Sequence, residues 1–285
     1  MIAVRDDAGR TLTLAAPARR IVSLVPSLTE TLFALGCGDA LAGITRYCTE
    51  PAGAVAAVTC VGGTKNPDVA AIVALAPDLV VVNADENRKE DFAALEAAGL
   101  TVFVSFTHRV RDVAGLITAL AMLTGATGAA ARLRAALDAA LDVAPPAPRR
   151  RVFCPIWKNP WMSFNADTYT HDVLRHAGGD NVCADRAERY CTVDLEVVAA
   201  LAPEVILLPD EPYVFRPKDL AALTPLTGTP AWRSGRIYFV DGKALSWYGL
   251  RTASALAYFR AVLSEDRVPA AVVMAEQGGG SDDAS

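Results

Sequence analysis

An internal repeat governs what this chain can become. The segment DVAAIVALAPDLVVV at residues 68–82 aligns without a gap with DLEVVAALAPEVILL at residues 194–208, and the ALAP core is identical. Both copies read the same way physically. An aspartate (Asp68, Asp194) caps a short amphipathic helix. A proline (Pro77, Pro203) closes it, because the residue before proline avoids the helical region. A continuous apolar run follows, as expected of a strand buried on both faces of a parallel sheet. Strand patterns at 20–24, 101–106, 151–155 and 237–241 alternate with helical patterns at 27–35, 88–98 and 168–177. Alternation of this kind predicts a parallel α/β sheet in each half. Ser27, three residues before Glu30, reads as a helix-capping box.

Between the repeats, residues 110–143 are rich in Ala and Leu. Apolar positions recur there near the 3.6-residue period, at Val113, Leu116, Ile117, Leu120 and Leu123. The segment predicts a helix joining two lobes, about 50 Å long if unbroken. Gly125 and Gly128 are its weak points, and two separate surface helices are the other reading. Residues 145–148 carry three prolines and stop it. The expected organisation is an α/β lobe over 1–108, the joining helix over 109–144, a second α/β lobe over 145–268 and a disordered tail over 269–285.

Composition narrows the function. Hydrophobic residues make up 52% and the net charge is −5, with 27 basic against 32 acidic side chains. Disorder and a basic nucleic-acid footprint are therefore excluded. Mean hydropathy is +0.27, yet it is spread along the chain, and no run approaches the ~18 apolar residues of a membrane span. The first ten residues lack a basic region followed by an apolar one, which reads as no signal peptide and, taken alone, a cytoplasmic protein. Six cysteines follow no zinc spacing. They read as buried thiols, with a Cys183–Cys191 disulfide left open. Three histidines are too few for a protein-built metal cage, and the chain has no GxSxG motif. His171 reads as a structural residue near a helix start, so no catalytic group is assigned.

Aromatic residues are unevenly placed. All four tryptophans follow Pro145. Several aromatics fall in loops that should leave the carboxyl ends of strands, where α/β sheets bind ligands. Those loops hold Trp157 and Trp161, then Tyr213 and Phe215, then Trp247, Tyr248 and Arg251. Together they predict one wall of a ligand cleft. The first half offers Arg46, Tyr47 and Cys48, then Gly62, Gly63, Thr64 and Lys65, then residues 83–88. The glycines lack P-loop spacing. Arg46, Lys65, Arg216 and Arg251 read as cations for an anionic or amide-rich ligand.

The stretch PARRIVSLVPSLTE at 17–30 and APDLV at 76–80 resemble the cobalamin and iron-siderophore class of ABC-transporter substrate-binding proteins. The likeness extends over about residues 10–264. The motifs at 45–48, at 62–68 and at Trp157 and Trp161 are similar to its cobalamin-binding branch. The resemblance implies two Rossmann-like lobes with parallel sheets joined by one long backbone helix. It implies a ligand held in a cleft between them, small hinge motion, a monomer, no intrinsic cofactor and a location outside the cytoplasmic membrane. The ligand would be a corrinoid or another metal chelate, with haem or an iron siderophore as alternatives. Tyr47 matches the first-lobe aromatic contact, Arg251 the arginine near the last helix, and residues 157–164, including Phe164, the second-lobe aromatic loop. Thr64 stands where that family has a tryptophan. Glu196 matches the second-lobe glutamate that docks on an ABC permease, and Ala70 stands at the first-lobe position. A Cys48 thiolate on the ligand's metal, and a cytoplasmic cofactor-binding protein or enzyme on the same fold, are the other readings.

Overall fold

The computed structural model describes residues 1–264. The expected tail at 269–285, and the last residues of the second lobe, lie outside the described residues. The chain divides into two compact units. Unit 1 comprises Met1–Asp142 together with Trp247–Ala253, and unit 2 comprises, among the described residues, Val143–Ser246 and Ser254–Ser264.

Unit 1 opens with an antiparallel hairpin, β1 (Ile2–Arg5) and β2 (Thr11–Leu14). Asp6 at its turn holds the Arg10 guanidinium through Nε at 3.0 Å and Nη2 at 2.6 Å. Then follow β3 (Ile21–Ser23), α1 (Pro26–Ala34), β4 (Leu41–Ile44), β5 (Thr59–Cys60), α2 (Val69–Ala74), β6 (Leu79–Asn83), α3 (Lys89–Ala97) and β7 (Val102–Ser105). The five strands from β3 to β7 form one parallel sheet in the order β5-β4-β3-β6-β7. Val22, Val80, Val82 and Val104 from its strands, with Leu24 just beyond β3, pack with Ile72 of α2 and Leu95 of α3.

The repeat is reproduced in detail. Asp68 Oδ1 accepts from Ala71 N at 2.9 Å, and Asp194 Oδ1 from Glu196 N at 2.8 Å. Each cap opens a six-residue helix, α2 in unit 1 and α7 (Leu195–Ala200) in unit 2. Ala76 and Ala202, each just before the closing proline, take matching left-handed conformations at φ 44° and 49°. For alanine that conformation costs roughly 1–2 kcal/mol. The second copies of sequence and backbone irregularity therefore coincide.

Two local expectations are corrected. Ser27 does not cap α1. Pro26 occupies the first helical position, where its fixed φ and missing N–H suit it, and Val25 becomes the cap residue. The continuous helix over 110–143 is divided into α4 (Asp112–Thr124) and α5 (Thr127–Asp142). Gly125 ends α4 in the left-handed region at φ 80°, which only glycine adopts without a Cβ penalty. The two helices pack on each other. The longer, α5, spans about 24 Å at 1.5 Å per residue, and unit 1's first segment ends with it.

Unit 2 runs through β8 (Arg150–Phe153), β9 (Met162–Phe164), α6 (Tyr169–His176), β10 (Gly179–Asn181), β11 (Tyr190–Thr192), α7, β12 (Val205–Pro209), α8 (Pro230–Arg233), β13 (Ile237–Val240), α9 (Gly242–Ser246) and α10 (Thr252–Ser264). Its parallel sheet has the order β10-β8-β12-β13, and β9 pairs antiparallel with β11 as a separate ribbon. Helix α10 begins in the unit 1 segment and continues in unit 2. No helix among the described residues is long and apolar enough to cross a membrane.

Candidate functional site

In each sheet the connections reverse direction at one point. In unit 1 the chain leaves β3 toward β4 and β5, then returns to β6 on the other side of β3. In unit 2 it leaves β8 toward β10, then returns to β12. Loops beyond the carboxyl ends of β3 and β6, and of β8 and β12, therefore flank the switch points where such sheets bind ligands. Each unit is described by itself.

In unit 1, the turn after β4 places Arg46 and Tyr47 outward. Tyr47 is 54% exposed. Its ring edge lies over Gly63, where an added Cβ would sit 3.3 Å from Tyr47 Cε2 and collide with Asn66 Oδ1. A larger residue at 63 would displace the exposed Asn66 side chain and crowd the Tyr47 ring. Cys48 turns the other way and is buried, with Sγ 3.1 Å from Thr29 Oγ1 and 3.2 Å from Thr45 Oγ1. Burial pushes the Cys48 thiol up, and the two threonine hydrogen bonds only partly oppose this. The protonated form is favoured, which disfavours the thiolate needed for metal coordination.

Behind Tyr47, the loop at 62–67 is held by two asparagines whose roles the sequence reading missed. Asn87, almost fully buried, donates through Nδ2 to Thr64 O at 2.8 Å and Leu24 O at 3.2 Å, and its Oδ1 accepts from Asn83 N at 2.9 Å. Asn83 Nδ2 in turn reaches Ser105 O at 3.1 Å. Lys65 Nζ donates to Asp85 O at 2.7 Å. Thr64 and Lys65 are therefore pinned to the ends of β3 and β6. Amides carry no periodic signal, and only the excess of Asn at 83 and 87 hinted at this clip.

Trp247, Tyr248 and Arg251 follow β13 in sequence but belong to unit 1. The expected third aromatic loop of the second half is corrected accordingly. Tyr248 is 6% exposed, with Oη 3.4 Å from Glu86 Oε1. Burial, and then the Glu86 carboxylate, hold its phenol well above the ordinary tyrosine value. Arg251 grips Glu30 through Nε at 2.8 Å and Nη2 at 2.7 Å and lies over the Trp247 ring at 5.5 Å. Leu250 N donates to Thr31 Oγ1 at 3.1 Å. The segment packs against α1 through these bonds.

In unit 2, four aromatics from two loops form one cluster. Trp157, 43% exposed, meets Tyr213 edge to face at 5.8 Å. Trp161 stacks on Phe215 at 5.9 Å with planes 5° apart, and Tyr213 touches Phe215 at 4.7 Å. Beneath them Asp219, 2% exposed, joins the two loops. It accepts from Lys158 Nζ at 2.7 Å, Arg216 N at 2.9 Å and Tyr213 Oη at 3.3 Å. Burial alone would raise the Asp219 carboxyl; the lysine, the backbone N–H and the phenol outweigh it and hold it below the usual value. Phe215 is mostly buried under the cluster, and Phe164 is fully buried in β9.

Glu196 stands exposed in the first turn of α7. With Trp161, Arg186, Val197 and Pro225 it lines a groove of about 700 Å³. Ala70 holds the matching exposed place on α2. Among the described residues no three His, Cys, Asp or Glu side chains are grouped to hold a metal ion.

The family described as "Periplasmic binding protein" matches residues 21–244. The vitamin B12-binding protein of Vibrio parahaemolyticus is 29% identical over 196 residues, covering 67% of this chain and 70% of that protein. Its counterpart in Yersinia pestis is 29% identical over 202 residues, covering 69% and 72%. Among solved structures, the periplasmic vitamin B12 binding protein of Vibrio cholerae superposes with a TM-score of 0.74 at 24% identity, over 87% of this chain and 97% of that one. A periplasmic heme-binding protein in complex with two hemes superposes with a TM-score of 0.76 at 27% identity, over 88% and 99%.

Proposed function

The chain belongs to the periplasmic binding protein family, and from that premise we propose that it captures a cobalamin-like metal chelate outside the cytoplasmic membrane for an ABC importer, without catalysing a reaction. The observation that carries the reading is the cluster of Trp157, Trp161, Tyr213 and Phe215 at the switch point of the unit 2 sheet. A corrin or porphyrin presents a flat apolar face, and aromatic rings supply large contact area at fixed geometry. The Lys158–Asp219–Tyr213 hydrogen bonds hold the two loops in register before any ligand arrives. Preorganisation of this kind lowers the ordering cost of binding. In unit 1, exposed Tyr47 and Arg46 and pinned Thr64 and Lys65 are the proposed contacts; Cys48, Tyr248 and Phe164 support the surface from inside. Arg251, Trp247, Phe215 and Trp161 complete the proposed set. The vitamin B12-binding relatives support cobalamin as the first reading.

Haem is the second reading. The two-heme relative supports it, and the exposed phenol of Tyr47 is a group that ligates haem iron elsewhere. Glu196 is the proposed permease contact in unit 2, and the partner is an ABC permease.

Titration with cyanocobalamin, hemin and a ferric siderophore, followed by tryptophan fluorescence, tests the reading. Quenching by one of them is expected, with a three- to tenfold weaker affinity in Trp157→Ala, the equivalent of about 0.5–1.5 kcal/mol per aromatic pair. A flat response to all three chelates would sink the proposal.

A further inference from the structure

Three of the six thiols are buried in unit 2. Cys154, Cys183 and Cys191 are all buried, and all are present as free thiols. Cys183 and Cys191 are buried in the same hydrophobic cluster of unit 2, and Cys191 is near enough to raise the Cys183 thiol. Ser163 is the residue directly opposite Cys191 in the β9–β11 ribbon. The chain between the two cysteines is already tied down at both ends. Ala166 N donates to Ala184 O at 2.9 Å, Asn165 Nδ2 to Arg186 O at 3.0 Å and Asn165 N to Arg189 O at 2.9 Å. The three thiols form no metal-holding group with neighbouring His, Asp or Glu side chains.

We propose that Cys183 and Cys191 form a disulfide that staples the loop between β10 and β11. Both S–H bonds break and one S–S bond forms. Two electrons and two protons pass to a disulfide oxidant, a protein disulfide or oxidised glutathione, which leaves as two thiols. Such oxidants belong to extracytoplasmic compartments. The loop bears Arg186, which lines the same groove as Trp161 and Glu196, so the staple fixes one wall of that groove. Once formed, the bond is shielded, because the cysteines are 1% and 4% exposed. It therefore behaves as a structural link that resists mild reductant in the native state.

Peptide mapping decides the matter, and it reads independently of any chelate. The full chain is refolded in reduced and oxidised glutathione, blocked with N-ethylmaleimide under denaturing conditions and digested with trypsin without reduction. Cleavage after Arg186 and Arg189 separates the two cysteines, so the disulfide appears as a pair of linked peptides that parts on reduction. Cys154→Ser keeps the link, and Cys183→Ser or Cys191→Ser abolishes it. The thermal midpoint of the wild type falls on reduction, whereas that of Cys191→Ser does not move. Maleimide on both Cys183 and Cys191 after oxidative refolding, or a peptide linking Cys154 to either, overturns the proposal. If a serine variant fails to fold, the wild-type map alone still decides.

Discussion

Removing the charge of Asp219 should destabilise the protein by an amount that depends on pH in a defined way. Asp219→Asn keeps the shape, and its one oxygen can take the place of Oδ2 and accept from Arg216 N, while its NH2 stands where Oδ1 accepted from Lys158 Nζ and Tyr213 Oη. It loses the charge-assisted bond from Lys158 at 2.7 Å. A hydrogen bond to a charged group contributes about 1.5–3 kcal/mol. Breaking a buried pair costs about 3–5 kcal/mol when the other charge is stranded. Lys158 is not stranded, because its side chain is 19% exposed and its ammonium can turn to water. The expected loss at neutral pH is therefore about 2 kcal/mol for Asp219→Asn. For Asp219→Ala it is about 3 kcal/mol, because the cap on Arg216 N is lost as well. Since the Asp219 carboxyl titrates below the ordinary aspartate value of 3.8 in the folded protein, the wild-type advantage is fully present above that value and is lost as pH falls through the folded one. The Asp219 hydrogen bond raises Lys158 above 10.5, so its share is full below 10.5 and is lost as pH rises through the higher folded value. Urea unfolding followed by tryptophan fluorescence, across acid to alkaline buffers, measures both arms. A double-mutant cycle with Lys158→Met should give a coupling of about 1–2 kcal/mol. An Asp219→Asn variant within about 0.5 kcal/mol of wild type at neutral pH, the ordinary scatter of surface substitutions, would refute the reasoning. So would a deficit that does not shrink in acid.

Asn87→Ala leaves the buried Asn83 N–H, Thr64 O and Leu24 O without that partner; urea unfolding should show a loss of about 2–4 kcal/mol, and chelate affinity should fall with it. Glu30→Gln removes the charge that holds Arg251 at two points; with Arg251 24% exposed and able to turn to water, the expected cost in the same assay is about 1–2 kcal/mol, below the ~3–5 kcal/mol of a fully buried pair. Maleimide at neutral pH on the reduced native protein should label exposed Cys60 rapidly and leave Cys48 and Cys154 untouched, because burial raises both of those thiols. Mass spectrometry of the labelled peptides gives the order, and early labelling of Cys48 would contradict its placement.

The parallel sheets were readable because burial on both faces writes itself as unbroken apolar runs, and the ALAP repeat marked α2 with β6 and α7 with β12. Elements fixed by single residues were not readable in the same way. Pro26 displaced the expected cap at Ser27, and Gly125 split a helix whose apolar period runs straight past it. The β9–β11 ribbon joins segments far apart in sequence, and its three-residue strands carry too little pattern to detect. The aromatic loops of unit 2 were legible from composition alone. The hub beneath them, Asp219, was not, because a lone aspartate beside Pro217 and Lys218 reads as surface. Trp247 and Tyr248 were grouped with unit 2 because β13 is their nearest strand along the chain, and only the fold shows the chain passing over to unit 1 for seven residues.

That passage of Trp247–Ala253 bears on how the protein is made. The bulk of unit 1 leaves the ribosome with Asp142, but Tyr248, Arg251 and the backbone of Leu250 emerge only after most of unit 2 has been synthesised. At roughly 5–20 residues per second, translation separates the two events by about 5–20 s. For that interval Glu30, Thr31 and Glu86 stand without their later partners, on a surface open to chaperones and proteases. The amino-terminal unit is begun first yet completed only after Ser246 of unit 2 has been made.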